Sequence, residues 1–395
     1  MGRVRAGGHV VVVGGGIGGL AAAAGLYGAG WDVTVLEQAP VLAEAGAGVG
    51  LWPNAVRALQ VIGPDLVPGL RARWVLRGVA GVRSADGRWL VRMDLSWIEN
   101  RYGVPVLVLP RAELHTRLAG LVPVGAVRLG CTARAAYPAG SRTVVSGGGP
   151  AGEFTIETDL VVAADGVHST MRPLVDPHAA ARYAGHTAWR ALVPSSLAPP
   201  VADSGDTWGR GRRFGYAPMG NGDVYWFASA LAAAGGGMSA GELSMLGERF
   251  AGWPEPIPAL LAVTPPAALL RNDVWQLRPP PRRLAAGRIA LLGDAGHAMT
   301  PDLGQGACQA LEDAAELAAL AAQATPAQIP AALDRYAALR RARASMIVRR
   351  SHSIARLAHL HGPLRCTLRD RLVAAAGPLT RNRALDQMLG WHPSQ

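Results

Sequence analysis

The sequence contains no lysine, so all 39 basic residues of the 395-residue chain are arginine. They outnumber the 28 acidic residues and give a formal net charge of +11. Because alanine, glycine and proline are also abundant, the missing lysine indicates a bias in the coding sequence more than a functional choice. We therefore interpret the charge as a solvated arginine surface and expect no nucleic-acid partner. A positive field of this kind favours anionic small molecules.

Cysteines and long apolar segments are also scarce. Cys131, Cys308 and Cys366 are odd in number, lie far apart and form no CxxC motif, which excludes a dithiol-disulfide redox centre. With no signal peptide ahead of them, they predict a reducing, cytoplasmic location. Residues 10–31 carry no charge, but the five glycines within residues 14–19 argue against a membrane span. We therefore expect no stable membrane insertion.

The first 37 residues show a strand, a glycine-rich turn, a helix and a second strand. Residues 9–13 and 31–37 have the texture of buried strands, and residues 20–30 that of an alanine-rich helix. Glycines in the turn let the backbone approach a pyrophosphate, which the helix amino terminus attracts. Glu37, at the end of the second strand, can accept hydrogen bonds from ribose hydroxyls. The pattern predicts a dinucleotide site, and the acid favours FAD or NAD over NADP.

A second glycine-rich turn spans residues 293–306. It follows a buried strand and leads into a helical pattern over residues 308–322. Asp294 at the strand end can accept from a ribitol or ribose hydroxyl, and residues 304–307 open a helix whose N–H groups would face a developing negative charge. A reduced flavin ring is an anion that such a helix would stabilise. The alternative is an ordinary strand-loop-helix connection.

The residue pattern in the rest of the sequence predicts an α/β chain with an inserted antiparallel sheet and a helical carboxyl terminus. Residues 176–277 alternate in the manner of β-strands, with a hairpin turn at residues 220–223, and residues 74–97 have a similar texture. We assign residues 1–73, 100–175 and 278–329 to a cofactor domain, residues 74–99 and 176–277 to a substrate sheet, and residues 330–395 to helices. We expect one group of arginines to form a wet helix face: Arg340, Arg341, Arg343, Arg349 and Arg350.

Three motifs together resemble the class A flavoprotein aromatic hydroxylases. They are residues 14–19 with Glu37, residues 165–172, and residues 293–306. Within this class, the chain is most similar to the urate hydroxylase and salicylate-hydroxylase-like branch, and residues 189–191 follow the salicylate type. The resemblance implies a Rossmann-like FAD-binding domain of the glutathione-reductase type, carrying the inserted sheet.

The resemblance also implies a set of site residues and no metal. The implied FAD contacts are Gly14, Gly16, Ile17, Gly18, Gly19, Glu37, Gln38, Gly50, Arg111, Ala133, Asp165, Asp294, Gly304, Gln305, Gly306 and Ala307. Pro301, His297, Arg213 and Tyr225 are implied on the reaction side, with Asp302 nearby. Other readings stay open for three of these: a surface role for Arg213, a core role for Tyr225, and a turn cap for His297.

The implied reaction is hydroxylation of an aromatic, phenolic or polycyclic small molecule through a C4a-hydroperoxyflavin. NAD(P)H and O2 are the expected co-substrates, and NAD(P)H binds transiently because the sequence has no second dinucleotide fingerprint. The missing lysine excludes the flavin halogenases, which need one near the substrate. Alternatives are epoxidation, Baeyer-Villiger insertion, urate hydroxylation, or isoprenoid reduction on the same fold. A monomer or a homodimer is expected.

Overall fold

The computed structural model describes residues 7–42, 47–239 and 241–394, without the side chains of residues 377–381. None of the helices in this part of the chain is long and apolar enough to cross a membrane. The helices of the described residues are α1 (Ile17–Gly28), α2 (Pro53–Ile62), α3 (Leu66–Trp74), α4 (Leu95–Tyr102), α5 (Arg111–Ala119), α6 (Glu242–Arg249), α7 (Ile257–Val263), α8 (Asp294–His297), α9 (Gly306–Ala322), α10 (Ile329–Ala358) and α11 (Pro363–Leu389).

The strands of the same residues are β1 (His9–Val13), β2 (Asp32–Glu37), β3 (Gly48–Leu51), β4 (Val79–Ser84), β5 (Trp89–Asp94), β6 (Leu107–Pro110), β7 (Val127–Leu129), β8 (Thr132–Ala139), β9 (Arg142–Gly149), β10 (Gly152–Thr158), β11 (Leu160–Ala163), β12 (Ala181–Val193), β13 (Ser204–Trp208), β14 (Arg212–Pro218), β15 (Val224–Leu231), β16 (Leu270–Leu277), β17 (Ala285–Ala286) and β18 (Ile289–Leu291).

The first sheet has the order β17-β18-β11-β1-β2-β7, and its strands are parallel except for β17. The valines of β1 are almost completely buried, as expected for a parallel strand that is covered on both faces. Helix α1 packs against α9 beside this sheet. It begins at Ile17, three residues before the predicted helix, because the glycine turn before it is shorter than the glycine run. The Rossmann-like prediction is confirmed.

The second sheet has the order β16-β12-β15-β14-β13-β4-β5. The inserted sheet is confirmed, and β14 and β15 pair around the predicted hairpin turn. The sheet is not purely antiparallel, however, because β4 pairs with β13 in the parallel direction. Strand β4 comes from a distant part of the chain, so no tight turn forces the two strands to run in opposite directions.

Side chains alternate between the two faces of the second sheet, and each face has a separate partner. Trp189, Phe214 and Trp226 point to a core that α6 and α7 cover. Tyr225 and Leu192, on the opposite face, pack against the core of the first domain. The face of the second sheet that carries Tyr225 and Leu192 therefore meets the domain that is built on the first sheet.

The structure differs from the sequence predictions in three features. A small antiparallel sheet of β8, β9 and β10 lies within the cofactor part. The proposed boundaries at 73/74 and 99/100 fall inside helices α3 and α4, which continue past them. The wet arginine face on α10 is wrong for Arg340, which is 1% exposed and ion-paired in the interior. The division into domains otherwise stays a prediction.

Candidate cofactor and substrate site

The first glycine turn brings two backbone segments closer than any side chain would permit. Gly14 has φ of +104°, and a Cβ there would overlap the carbonyl of Ala164, while a Cβ at Gly19 would overlap the carbonyl of Gly14. Helix α1 begins directly afterwards, with Gly16 as its N-cap and no side-chain cap. The N–H groups of its first turn, including those of Ile17 and Gly18, are therefore left to bind an external acceptor.

Glu37 lies at the end of β2, beside this turn. One of its carboxylate oxygens accepts from the N–H of Gly15 at 2.6 Å, and the other accepts from the N–H of Ala39 at 2.8 Å. The next residue, Gln38, is exposed. These bonds fix the carboxylate next to the phosphate-binding turn and leave further lone pairs for the hydroxyls of a ribose.

A buried histidine supports the same turn and was missed from the sequence. The Nε2 atom of His115 lies 2.7 Å from the carbonyl oxygen of Gly15, so α5 is held against the turn. Helix α5 begins at Arg111, whose backbone N–H donates to the carbonyl of Ala47. A Cβ at Gly50, on the neighbouring β3, would have open space around it. A histidine in the middle of an ordinary helical pattern gave no sequence signal for this contact.

The second motif forms a tight turn after β11. One carboxylate oxygen of Asp165 accepts from the N–H groups of Thr170 and Met171, at 2.8 and 3.2 Å. Its other oxygen, Oδ1, is buried without a partner among the described residues. The hydroxyl of Thr170 reaches towards the carbonyl of Ala133 at 3.5 Å. The structure therefore brings the turn that carries Asp165 close to Ala133 on β8.

The third motif follows β18 and has two features of a ligand site. Asp294 is exposed, and its carboxylate makes no hydrogen bond or ion pair with the described residues. Helix α9 begins at Gly306, with Gln305 as an N-cap that makes no side-chain capping bond. The N–H groups at Gly306 and Ala307 are therefore available to a developing anion.

The three motifs meet at one edge of the first sheet. Strands β1, β11 and β18 are parallel neighbours, so the turns that carry Gly14, Asp165 and Asp294 all leave from their carboxyl ends. Open parallel sheets bind their ligands at this edge. The residues present fit a dinucleotide that carries a second anionic group, because two uncapped helix termini and the unpaired carboxylate oxygens of Asp165 and Asp294 lie at that edge.

A buried polar network holds the third motif in place. Asn54 donates to the side chains of Gln305 and Glu312 at 2.9 and 2.6 Å. Asp313 accepts from the N–H of Gly293 at 2.9 Å, and Arg340 pairs with Glu312 and with Asp313 at 2.6 Å. A signal for this network was present in the sequence, since Gln309, Glu312 and Asp313 interrupt a helix that is mostly alanine and leucine.

His297 belongs to this network, and its assignment as a catalytic residue stays a prediction. It is 2% exposed, and its Nε2 lies 2.5 Å from an oxygen of Asp313. Burial lowers the pKa of His297, but the charge of Asp313 and their hydrogen bond more than offset burial and raise it above its usual value. The interpretation of His297 as a turn cap is wrong, because its ring binds the side chain of Asp313 in α9.

Arg213 is buried on the face of the second sheet that also carries Tyr225, so the interpretation of Arg213 as a surface residue is wrong. Its Nε and Nη2 donate to the two oxygens of Asp206 at 3.0 and 2.5 Å, and its Nη1 donates to Asp302. Asp302 lies in the 3₁₀ turn Pro301–Leu303 of the cofactor domain. The ion pair between Arg213 and Asp302 therefore joins the second sheet to this turn, and it brings together two residues that the resemblance implied on the reaction side.

Tyr225 lies on the same face as Arg213, next to β3. Its ring occupies the space that a Cβ at Gly48 would need. Burial raises the pKa of the Tyr225 phenol, and Arg190, Arg213 and Arg111 offset this only in part. The phenol is therefore neutral near pH 7 and available as a hydrogen-bond donor.

Most of the tryptophans that could have lined a pocket are structural. Trp189 and Trp226 lie in the second core, and Trp74 lies in the first. The indole of Trp208 donates to Asp206. Trp52 differs, because its Nε1 approaches Gly304 in the third motif, at 3.3 Å from where a Cβ would be.

A family model described as "FAD binding domain" matches residues 8–192 and 275–351. The chain belongs to this FAD-binding family. The unmatched residues 193–274 hold β13, β14 and β15 with α6 and α7. The family match thus covers the three motifs and omits the strands that carry Arg213 and Tyr225.

Proteins similar to the chain over most of its length include named monooxygenases. Aurachin C monooxygenase/isomerase of Stigmatella aurantiaca is 35% identical, over 92% of this chain and 93% of that protein. The 3-amino-4-hydroxybenzoate 2-monooxygenase of Streptomyces cremeus is 37% identical, over 93% of this chain and 92% of that protein. The structure of Klebsiella pneumoniae HpxO complexed with FAD and uric acid superposes with a TM-score of 0.87 at 28% identity, over 98% of each chain. The resemblance to class A flavoprotein hydroxylases is confirmed.

Proposed function

We propose that the chain is a single-component FAD-dependent monooxygenase that uses NAD(P)H and O2 to hydroxylate an aromatic small molecule. The observation that carries the proposal is the convergence of three motifs at one sheet edge, directly opposite a sheet face that bears Arg213 and Tyr225. The named relatives support it, since they are monooxygenases and a solved neighbour binds FAD with uric acid.

The residues at the sheet edge would divide the binding of FAD among them. The N–H groups from Gly16 to Gly19 would bind the pyrophosphate, and Glu37 would accept from the adenosine ribose. Asp294 would accept from the ribitol hydroxyls, because it is an exposed acceptor at a strand end. The remaining candidates are Gly14, Gln38, Gly50, Arg111, Ala133, Asp165, Gly304, Gln305, Gly306 and Ala307.

Bound FAD would supply the redox chemistry: it takes a hydride from NAD(P)H and activates O2 for transfer of one oxygen atom to the substrate. The chain itself would position the substrate, exclude water and stabilise charge. The amino terminus of α9, at Gly306 and Ala307, would stabilise negative charge on the reduced ring. Pro301 would shape the reaction side, and Arg213 and Tyr225 would orient the substrate.

Purified protein tests the proposal directly. We expect a yellow holoprotein whose absorption spectrum is that of an oxidised flavin. NAD(P)H oxidation and O2 uptake should then accelerate with at least one member of an aromatic panel that includes uric acid and aminohydroxybenzoates. The product should be heavier than the substrate by one oxygen atom. Reduction without oxygen insertion would contradict the proposal and favour the isoprenoid reductase alternative.

The cellular setting belongs to the same proposal. All three cysteines are free, which favours a reducing cytoplasm. We propose a monomer or a homodimer, with no nucleic-acid partner and no stable membrane insertion. Size-exclusion chromatography with light scattering tests the oligomeric state.

A further inference from the structure

Two histidines and one acid form a buried cluster next to Arg213. His186 lies on β12, His359 follows the end of α10, and Asp302 lies in the turn Pro301–Leu303. The two rings stack with their centroids 4.4 Å apart. One polar atom from each of the three residues lies within 4.8 Å of the others, and all three side chains are at most 8% exposed. The cluster stands where the second sheet, α10 and the third motif meet.

The ring of His359 has both nitrogens engaged. Its Nδ1 lies 2.9 Å from the carbonyl oxygen of Ala355, and because a carbonyl can only accept, Nδ1 carries the proton. Its Nε2 lies 2.8 Å from the hydroxyl of Ser229, which therefore donates to it. Burial, followed by the neighbouring His186, lowers the pKa of His359 to about 4. The ring is thus neutral near pH 7, with Nε2 as an acceptor.

His186 stacks on this ring, and its Nε2 is buried without a partner among the described residues. A neutral imidazole carries one proton. We assign that proton to Nδ1, as in His359, which makes Nε2 a hydrogen-bond acceptor. Burial is the largest effect and lowers the pKa of His186 overall. Its Nε2 is therefore a buried lone pair.

Asp302 carries the second acceptor atom that has no hydrogen-bond donor. Its Oδ1 accepts from Arg213, but its Oδ2 is buried and has no partner in the part of the chain that the structure describes. Buried polar atoms nearly always have a partner, and leaving one unsatisfied is costly. Three of the five N–H groups of Arg213 already bind Asp206 and Asp302, and the unpaired oxygen of Asp302 would repel an incoming carboxylate.

We propose that His186 Nε2 and Asp302 Oδ2 form a donor-binding subsite that recognises an N–H or O–H group on an uncharged aromatic substrate. The proposal rests on the proposed function, since it names the substrate class of the same site. The subsite selects substrates with a ring N–H or a phenolic O–H and discriminates against those whose only polar group is a carboxylate. His186 and Asp302 are thereby residues that determine specificity.

A pair of probes that differ by one hydrogen-bond donor tests this subsite. Binding of 4(1H)-quinolone, 1-methyl-4-quinolone and quinoline-4-carboxylate to the holoprotein is measured from the flavin absorption spectrum, without NAD(P)H. We expect the N–H probe to bind about tenfold or more tightly than either of the others. In His186→Phe, which keeps the stacked ring and removes the acceptor, this preference should disappear. The exposed His178 gives a matched control, and His178→Phe should keep the preference.

A second variant, Asp302→Asn, provides the same test should His186→Phe not fold, because the amide retains the shape and weakens the acceptor. Three results would overturn the proposal: no binding of the N–H probe, equal affinities in the wild type, or an unchanged preference in both variants. A metal ion present at one per chain in the wild type and lost in His186→Phe would also overturn it, since a cation would then satisfy both acceptors. O2 uptake measured in parallel reports on the proposed function independently of binding.

Discussion

Replacing Arg340 by methionine should destabilise the protein more than any nearby surface substitution. Arg340 is 1% exposed and donates to Asp313 and Glu312 at 2.6 Å, and to the side chain of Gln309 at 2.9 Å. Its removal leaves two carboxylates in the interior with fewer partners. Breaking a buried pair typically costs about 3–5 kcal/mol. We expect a loss of about 3 kcal/mol, the lower end, because His297 and Arg343 still contact the two acids.

The same substitution should weaken FAD binding. Gln309 and Asn54 hold the side chain of Gln305, and Asp313 holds the N–H of Gly293, so the network orders both ends of the third motif. Losing Arg340 frees the oxygen of Gln309 that it binds and loosens this arrangement. The dissociation constant of FAD, measured by flavin fluorescence, should therefore rise in Arg340→Met.

The neighbouring residue provides a matched control. Arg341 lies on the same helix and is exposed, so Arg341→Met should change the free energy of unfolding by no more than about 0.5 kcal/mol. Both variants and the wild type are unfolded with urea in excess FAD, followed by tryptophan fluorescence. If Arg340→Met is no less stable than Arg341→Met, the assignment of Arg340 to a buried ion network is refuted.

Three further predictions concern the cofactor, the substrate and pH. Asp294→Ala should purify with little bound FAD, and a fully yellow preparation would count against its role as ribitol acceptor. Arg213→Gln should keep FAD but raise KM for an identified substrate; an unchanged KM would remove Arg213 from the substrate site. Because the folded pKa of His359 is lowered to about 4 from about 6.5, unfolding takes up a proton as the pH falls between these values. Its burial therefore costs no stability above about pH 7 and about 2 kcal/mol by about pH 5. Urea unfolding of His359→Gln should lack this share of the acid sensitivity.

Local patterns in the sequence determined the cofactor half of the site. The turn at residues 14–19, Glu37, and the turns after β11 and β18 could be located because each needs particular residues at consecutive positions. Glycine is required where a Cβ would meet backbone, as at Gly14, and an acid is useful where a strand ends. Since parallel strands end at a common edge, the convergence of the motifs also followed from the sequence. The hairpin between β14 and β15 could be predicted for the same reason, because its turn residues are consecutive in the sequence.

Contacts between distant segments decided the rest, and no pattern of neighbouring residues specifies them. Arg213 stands among three arginines in the sequence, and only its position on β14 turns it inward to Asp206 and Asp302. The burial of Arg340, the parallel pairing of β4 with β13, and the meeting of His186 with His359 have the same origin. Each depends on how the two sheets and the two long helices pack. The sequence therefore predicted the cofactor, while only the tertiary structure decided which polar groups are buried on the substrate side.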